Sequence, residues 1–201
     1  MKVPNKEEFE YMYWLAERII ETDFFNYDSL YDWKQDLENY FADNYGVTVE
    51  SGCTKACFIS IYSEWVIKLN TSDMDYCHDE AENYQRAVIR GIDECFAACY
   101  FLDHIGGYDF YIQEKVDVDE ETTDSTCYTY ASRQCNSDDY DDINELYWDM
   151  DDYERIIALF EDSIFKTQLL DFIDTYNIND LHVGNFGYRN NSPVLMDYSG
   201  Y

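Results

Sequence analysis

The chain has 201 residues, a length that suits one domain or one domain with an appendage, and 46% of them are hydrophobic. Only two prolines and eight glycines are present, which argues against a disordered or fibrous protein. The net charge of −30 argues against direct binding of nucleic acid, whose phosphates need Lys and Arg. Such a charge would attract a basic protein surface, but solubility alone is the favoured explanation.

Neither a targeting segment nor a membrane span is recognisable. The residues after Met1 are polar and charged, and no apolar run approaches the roughly 18 residues of a membrane span. The seven cysteines lack C-x-x-C spacing, and the three histidines do not pair at metal-ligand spacing. We therefore expect free thiols in a protein of the reducing cytoplasm.

Two amphipathic helices are predicted at the N-terminus. Apolar residues repeat at helical spacing over 6–21, and again from a helix start at Asp28-Ser29 to a stop at Asn44-Tyr45-Gly46. Residues 1–46 are therefore predicted to form a helical appendage. Its apolar stripes either pack on the domain that follows, which we favour, or bind a partner.

The next segment changes to a strand pattern. Runs rich in β-branched and aromatic residues alternate with short turns, and a helix is predicted over 75–92. The element order is therefore β-β-β-α-β-β. The strands are predicted at 47–52, 56–62, 65–69, 96–102 and 110–116.

Residues 117–154 are strongly acidic, with Arg133 as their one basic residue. Blocks of like charge usually form solvated or disordered faces, so a solvated loop is the favoured interpretation. Interleaved aromatic residues also suit a contact surface whose carboxylates imitate DNA phosphates. From Asp151 helical spacing resumes and predicts a long helix. The candidate partner-binding residues are Asp138, Asp139, Asp141, Asp142, Glu145, Trp148, Asp151 and Asp152.

The C-terminal segment carries three polar residues at a specific spacing. Asn185 follows Asp180 by five residues, and Asp197 comes after an apolar run. In kinase-type phosphoryl transfer an Asp orients the attacking hydroxyl, while an Asn and a second Asp hold Mg²⁺ against the phosphates of ATP. The spacing matches D-x-x-x-x-N followed by D-x-G, except that one extra residue stands before Gly200. The pattern predicts Asp180 as the catalytic residue, and Asn185 and Asp197 as metal ligands.

Upstream residues supply matching nucleotide-binding motifs. Val66-Ile67-Lys68 is similar to the third-strand V-A-I-K, whose Lys reaches the α- and β-phosphates. A helical Glu should hold this Lys, and Glu80 is preferred to Glu82 because it lies nearer the inner edge of the apolar stripe. The remaining candidates are Gly52 and Lys55, where a glycine-rich loop would cover phosphates, and Glu114 and Val116, where a hinge would bind the adenine edge.

This set of motifs resembles the protein-kinase-like superfamily, and above all its short, divergent, aminoglycoside-phosphotransferase-like members. It is also similar to small kinase-like proteins encoded by bacteriophages, and the resemblance covers about 47–116 and 151–201. It implies an α+β, kinase-like fold with a five-stranded antiparallel small-lobe sheet plus one helix in 47–116. A truncated helical second lobe with the acidic insertion would occupy 117–201, behind the N-terminal helical pair.

The sequence departs from the kinase pattern in two places. Ile178-Asn179-Asp180 stands where His-Arg-Asp is usual, so the buried His that supports the loop is missing, whereas His182 is typical of small-molecule kinases. Because the sequence ends one residue after Gly200, we expect no peptide-binding segment. The resemblance therefore implies a small or unusual acceptor.

Two functions are predicted. The first is an ATP- and Mg-dependent phosphotransferase acting on such an acceptor. The alternative is an acidic, phage-type inhibitor that imitates nucleic acid, blocks a host restriction or CRISPR effector in the host cytoplasm, and uses the kinase-like scaffold without catalysis. Salt should weaken binding by a mimic, because that binding depends on opposite charges.

Overall fold

The computed structural model describes residues 1–22, 30–51, 54–71, 75–135, 140–179 and 181–199, with backbone alone at 30–36, 51 and 140. Among the predicted site residues, Gly52, Asp138, Asp139 and Asp180 lie outside the described residues, as does the helix start at Asp28-Ser29.

The chain forms two compact units. One comprises Met1–Tyr84 and Ala98–Lys115, and the other comprises Gln85–Ala97 and Val116–Tyr201. None of the described helices combines the length and apolar character that a membrane crossing requires.

The first unit is built on a five-stranded antiparallel sheet, as the sequence predicts. Its strand order is β1-β2-β3-β5-β4. The predicted start of the fourth strand at residue 96 is wrong, because Phe96 instead forms a bridge with Leu195 within the second unit. The turn between the last two strands contains Gly106 and Gly107, both with positive φ. The strands are β1 (Val47–Ser51), β2 (Lys55–Ser60), β3 (Trp65–Asn70), β4 (Cys99–Ile105) and β5 (Tyr108–Glu114).

Two N-terminal helices pack on this sheet. Helix α1 (Lys6–Glu21) begins at a capping box formed by Asn5 and Glu8, and its apolar stripe is buried against β3 and β4. Helix α2 (Leu30–Tyr45) packs on β1, and the Phe41 ring lies 5.2 Å from the Phe58 ring. Helix α3 (Tyr76–Arg90) follows β3. The apolar stripe of α1, and Leu37 and Phe41 of α2, therefore contribute to the core of the first unit.

The second unit contains the acidic segment, of which 120–134 and 140–148 are helical. The expectation of a loop is wrong for these residues. Asp119 caps helix α4 (Glu120–Gln134) by accepting a hydrogen bond from the Thr122 N–H at 2.9 Å, and acidic residues in the first turn suit the helix dipole. Thr123, Cys127 and Ala131 then bury one face of α4. A further helix, α5 (Tyr140–Trp148), completes the segment.

The predicted long helix from Asp151 is also wrong, because two shorter helices occupy that region. Helix α6 (Asp152–Leu159) is followed by a turn, and α7 (Lys166–Tyr176) begins after Ser163 Oγ accepts a hydrogen bond from the Phe165 N–H at 3.2 Å. Ile164, which fits the helical spacing, lies in the turn and is 87% exposed.

A β-hairpin that was not expected from the sequence lies near the end of the described chain. Strands β6 (Phe186–Arg189) and β7 (Ser192–Leu195) pair across Asn190 and Asn191, whose φ values are 51° and 64°. Positive φ at both central residues is what a type I′ turn requires. The described residues thus form a mixed α/β structure with a five-stranded antiparallel sheet and seven α-helices, and the first unit has the element order that the sequence predicts.

Candidate functional site

A buried ion-pair cluster lies on one face of β2 and β3. Lys68 Nζ is 2.5 Å from Glu80 Oε2, and Lys55 Nζ is 2.6 Å from Glu80 Oε1. The Glu80 side chain is fully buried, and those of Lys55 and Lys68 are 10% and 5% exposed. Gln113 Oε1 accepts a longer hydrogen bond from Lys68 Nζ at 3.4 Å. The structure thus brings two predicted nucleotide-binding lysines, Lys55 and Lys68, together around the carboxylate of a third predicted residue, Glu80.

The strand register explains why these side chains meet. Lys55 on β2 lies opposite Asn70 on β3, and Lys68 lies two residues before Asn70. Because side chains alternate between the two faces of a strand, all three share one face. Asn70 Oδ1 accepts a hydrogen bond from the Cys77 N–H at 3.0 Å, which fixes the first turn of α3 over this face. Glu80, about one turn further along α3, is thereby directed at the lysines.

Glu114, predicted at the adenine edge, has its side chain and amide occupied within the first unit. The carboxylate accepts a hydrogen bond from the Ala98 N–H at 3.2 Å and lies 3.3 Å from Lys2 Nζ. The Glu114 N–H donates to the Ala98 carbonyl at 2.7 Å. The Glu114 side chain and amide are therefore engaged in contacts inside the first unit.

Val116 belongs to the second unit and packs closely on Gly187. A Cβ placed on Gly187 would lie 2.4 Å from Val116 Cγ2, so this position has no room for a side chain. The next residue, Asp117, exchanges two backbone hydrogen bonds with Tyr188, at 3.2 and 2.7 Å. The segment after the predicted hinge is therefore fixed against strand β6.

The hairpin of β6 and β7 brings the backbone at Asn185 next to the backbone just before Asp197, the other predicted metal ligand. Phe186 lies opposite Leu195 in the register, and the Met196 N–H donates to the Asn185 carbonyl at 2.8 Å. Asp197 therefore directly follows the residue that is bonded to Asn185. The Asn185 side chain is buried and that of Asp197 is partly exposed.

Tyr198 fixes the chain immediately after Asp197. Its side chain is fully buried, and its hydroxyl donates a hydrogen bond to the Ala97 carbonyl at 2.5 Å. The ring packs on Phe96 with 5.0 Å between centroids. Asp197 thus follows a backbone hydrogen bond and precedes a buried aromatic anchor, which restricts its position.

The backbone at Leu181, the residue after Asp180 in sequence, is held by a carboxylate. Asp152 Oδ1, in the first turn of α6, accepts a hydrogen bond from the Leu181 N–H at 3.1 Å. His182 caps the short 3₁₀ turn that follows, because its Nδ1 accepts a hydrogen bond from the Gly184 N–H at 3.1 Å. The hydrogen bond to Asp152 ties Leu181 to the first turn of α6. Sequence reasoning missed this role, since Asp152 stands in a run of acidic residues that gives no separate signal.

The donor atoms at the predicted metal ligands suit Mg²⁺. The side-chain amide oxygen of Asn185 and the carboxylate of Asp197 are hard oxygen donors of the type that Mg²⁺ prefers. Within the described ranges, no group of three or more His, Cys, Asp or Glu side chains forms a metal cluster. If Asn185 and Asp197 bind Mg²⁺, they would be a partial ligand set, and the nucleotide phosphates and water would supply the other ligands.

The predicted partner-binding residues fall into two groups. Asp141, Asp142, Glu145 and Trp148 are exposed on α5, and Trp148 is 74% exposed. Asp151 caps α6 and Asp152 bonds to Leu181, as described above. The members on α5 are exposed at the surface, and the two at α6 take part in the contacts described above.

The described cysteines are free thiols, and burial lowers the reactivity of three of them. Cys57, Cys77, Cys95, Cys99, Cys127 and Cys135 form no disulfide. Burial raises the pKa of Cys95 to about 12 and that of Cys127 to about 11, because burial disfavours the thiolate. Burial likewise raises the pKa of Cys57 beside the lysine cluster. None of these three thiols is suited to nucleophilic chemistry at neutral pH.

Comparisons with known proteins give weak structural similarities. No protein-family model matches the chain, and no curated protein matches its sequence. An aminoglycoside phosphotransferase from Alicyclobacillus acidocaldarius has a TM-score of 0.34 at 14% identity, over 76% of this chain and 61% of that one. The chain therefore spans less than two thirds of that enzyme.

Two further solved structures are similar at the same level. The streptomycin–ATP–APH(2″)-IIa ternary complex has a TM-score of 0.31 at 14% identity, over 82% of this chain and 70% of that one. Spectinomycin phosphotransferase APH(9)-Ia, in complex with ADP and spectinomycin, has a TM-score of 0.30 at 11% identity, over 81% of this chain and 70% of that one. TM-scores below 0.5 do not assign a fold or an activity to this chain.

Proposed function

We propose that the chain binds Mg²⁺–ATP and transfers its γ-phosphoryl group to a small or unusual acceptor. The observation that carries the proposal is the ion pair between Lys68 and the fully buried Glu80. Kinase-type phosphoryl transfer requires a strand lysine held by a helical glutamate. A buried ion pair contributes little net stability over apolar packing, so its presence favours a functional reason.

Each residue has a stated role in the proposed reaction. Lys68 binds the α- and β-phosphates, and Glu80 positions Lys68. Asn185 and Asp197 hold Mg²⁺, which when bound neutralises charge on the phosphates. Asp180 orients the acceptor hydroxyl and takes its proton as the oxygen attacks the γ-phosphorus and ADP leaves. The adenine edge contacts the backbone between Glu114 and Val116, and the Gly52 loop covers the phosphates.

The negative net charge makes the lysine side chains near the phosphates important for ATP affinity. A net charge of −30 repels a polyphosphate at long range, so affinity must come from groups at short distance. Lys68 suits this task because its ammonium group is almost entirely shielded from solvent. In such an interior, charges interact more strongly than they do in water. Catalysis would then come from positioning and charge neutralisation.

Calorimetric titration tests this proposal. Mg·ATP is titrated into the unaltered chain, into Asp197→Asn, and into Asp162→Asn as a control with the same charge change at an exposed position. We expect micromolar binding by the unaltered chain and the control, and a loss of about tenfold or more for Asp197→Asn, the equivalent of one charge-assisted contact. Absence of binding at millimolar ATP would overturn the proposal.

A second candidate function is inhibition of a host nucleic-acid-handling enzyme by phosphate mimicry. The observation in its favour is α5, where Asp141, Asp142 and Glu145 are exposed beside the exposed Trp148. Purified restriction and CRISPR effectors would be assayed for DNA cleavage with the chain present at rising salt. Inhibition that weakens with salt and is lost in Asp141→Asn/Asp142→Asn supports this function. Unchanged cleavage at low salt excludes it for the enzymes tested.

A further inference from the structure

The ion-pair cluster contains one more lysine than a strand lysine and its glutamate require. Lys55 reaches Glu80 Oε1 at 2.6 Å while Lys68 reaches Oε2 at 2.5 Å. Each oxygen of one carboxylate therefore accepts a short hydrogen bond from a different strand. Lys55 belongs to β2 itself and is nearly buried, so it does not extend from the preceding loop into solvent.

The position of Lys55 is fixed by two contacts on the same helix. Its Nζ lies 5.8 Å from the centre of the Tyr76 ring, and Tyr76 and Glu80 are four residues apart on α3. Residues at this spacing lie on the same side of a helix, so ring and carboxylate face Lys55 together. Such a cation–π contact and ion pair hold the ammonium group in a defined place, as they would for a ligand-binding lysine.

We propose that Lys55 is a second phosphate-binding lysine, held with Lys68 by the single carboxylate of Glu80, so that neither lysine alone is indispensable for nucleotide binding. The inference rests on the proposed nucleotide binding. It assigns recognition of the phosphate charge to two lysines on neighbouring strands, Lys55 on β2 and Lys68 on β3. Two ammonium groups this close repel one another, and an approaching polyphosphate stabilises both. The ligand class is therefore a di- or triphosphate.

The shared carboxylate predicts how single substitutions behave. Removing the ammonium group of Lys68 leaves Glu80 paired with Lys55, and the reverse holds for removal of Lys55. In both cases the buried carboxylate keeps a cation, and the nucleotide keeps one lysine. In a site with one essential lysine, substitution of that lysine would abolish phosphate binding instead.

The test uses methionine, which keeps the apolar stem of lysine and removes its charge. Mg·ATP and, separately, adenosine are titrated into the full-length chain and into Lys55→Met, Lys68→Met and Lys6→Met. Lys6 is the control, because its side chain is 87% exposed in the same unit and its loss changes the net charge equally. Urea unfolding confirms that each variant is folded. A variant that does not fold is replaced by the corresponding glutamine variant, Lys55→Gln or Lys68→Gln, whose amide can still donate a hydrogen bond to Glu80.

The expected result is a loss of Mg·ATP affinity of about tenfold for Lys55→Met and for Lys68→Met, the equivalent of one charge-assisted hydrogen bond. Adenosine binding stays unchanged, because the lysines contact phosphate, and Lys6→Met resembles the unaltered chain. If Lys55→Met also resembles Lys6→Met, or if it weakens adenosine as much as Mg·ATP, the inference is overturned and the proposed function stands. If the unaltered chain does not bind Mg·ATP, both are overturned.

Discussion

Glu80→Gln should destabilise the chain strongly, and the structure sets the magnitude. Gln is nearly isosteric, but it removes the negative charge that two buried ammonium groups share at 2.5 and 2.6 Å. Its amide nitrogen would also face one of these cations. Loss of one member of a buried ion pair costs about 3–5 kcal/mol, because a buried charge loses its counter-charge.

Urea denaturation, followed by far-ultraviolet circular dichroism, measures this loss. With a dependence of about 2 kcal/mol per molar urea, the midpoint should fall by about 2 M. Glu82→Gln is the matched control: it lies two residues further along α3, its side chain is 45% exposed, and its charge change is the same. The control should unfold close to the unaltered chain.

High salt sharpens the comparison. Screening acts mainly on solvent-exposed charges, so the difference between Glu80→Gln and Glu82→Gln should persist in concentrated salt. If the two variants unfold at the same urea concentration, Glu80 is not a buried counter-ion, and the reasoning built on the lysine cluster fails with it.

Three further predictions concern other parts of the chain. Tyr198→Phe should lower the free energy of unfolding by about 1–2 kcal/mol in urea, because the buried hydrogen bond to the Ala97 carbonyl is lost. Gly187→Ala should cost about 1–3 kcal/mol, since its methyl group would lie 2.4 Å from Val116 Cγ2, and a normal midpoint would refute this close packing. The pKa of about 12 at Cys95 should slow iodoacetamide alkylation in the folded chain at pH 8 by about a thousandfold relative to the urea-unfolded chain. The folded-state rate, read by peptide mass spectrometry, should rise about tenfold per pH unit below that pKa.

The sequence predicts the first unit well because its signals are local. Helix α1 is recognisable from its apolar period alone, and the third strand, Trp65–Asn70, follows from its apolar run. The pairing partner of Lys68 also follows from a pattern, since the helical stripe distinguishes Glu80 from Glu82. What the pattern does not contain is the cross-strand register that brings Lys55 to the same carboxylate.

The second unit is predicted less well because competing local signals decide its structure. Carboxylates in the acidic segment suggest a loop, yet Asp119 acts as a helix cap and starts α4. Ile164 continues the apolar period, yet Ser163 ends it by bonding to the backbone. The Asn190-Asn191 pair is a turn signal that flanking alternation would have revealed. Asp180 lies outside the described residues, so its role stays a prediction.

The hairpin of β6 and β7 also offers a practical handle for protein engineering. Its open end carries Asn185 and Asp197, whereas Asn190 and Asn191 form the tip, four strand residues or about 13 Å away. Backbone pairing between the strands, and not the length of the turn, sets the spacing at the open end. Lengthening a turn costs free energy only slowly with each added residue. A short peptide tag or a fluorophore attachment site could therefore be inserted at the tip, giving an optical reporter that leaves Asn185 and Asp197 in place.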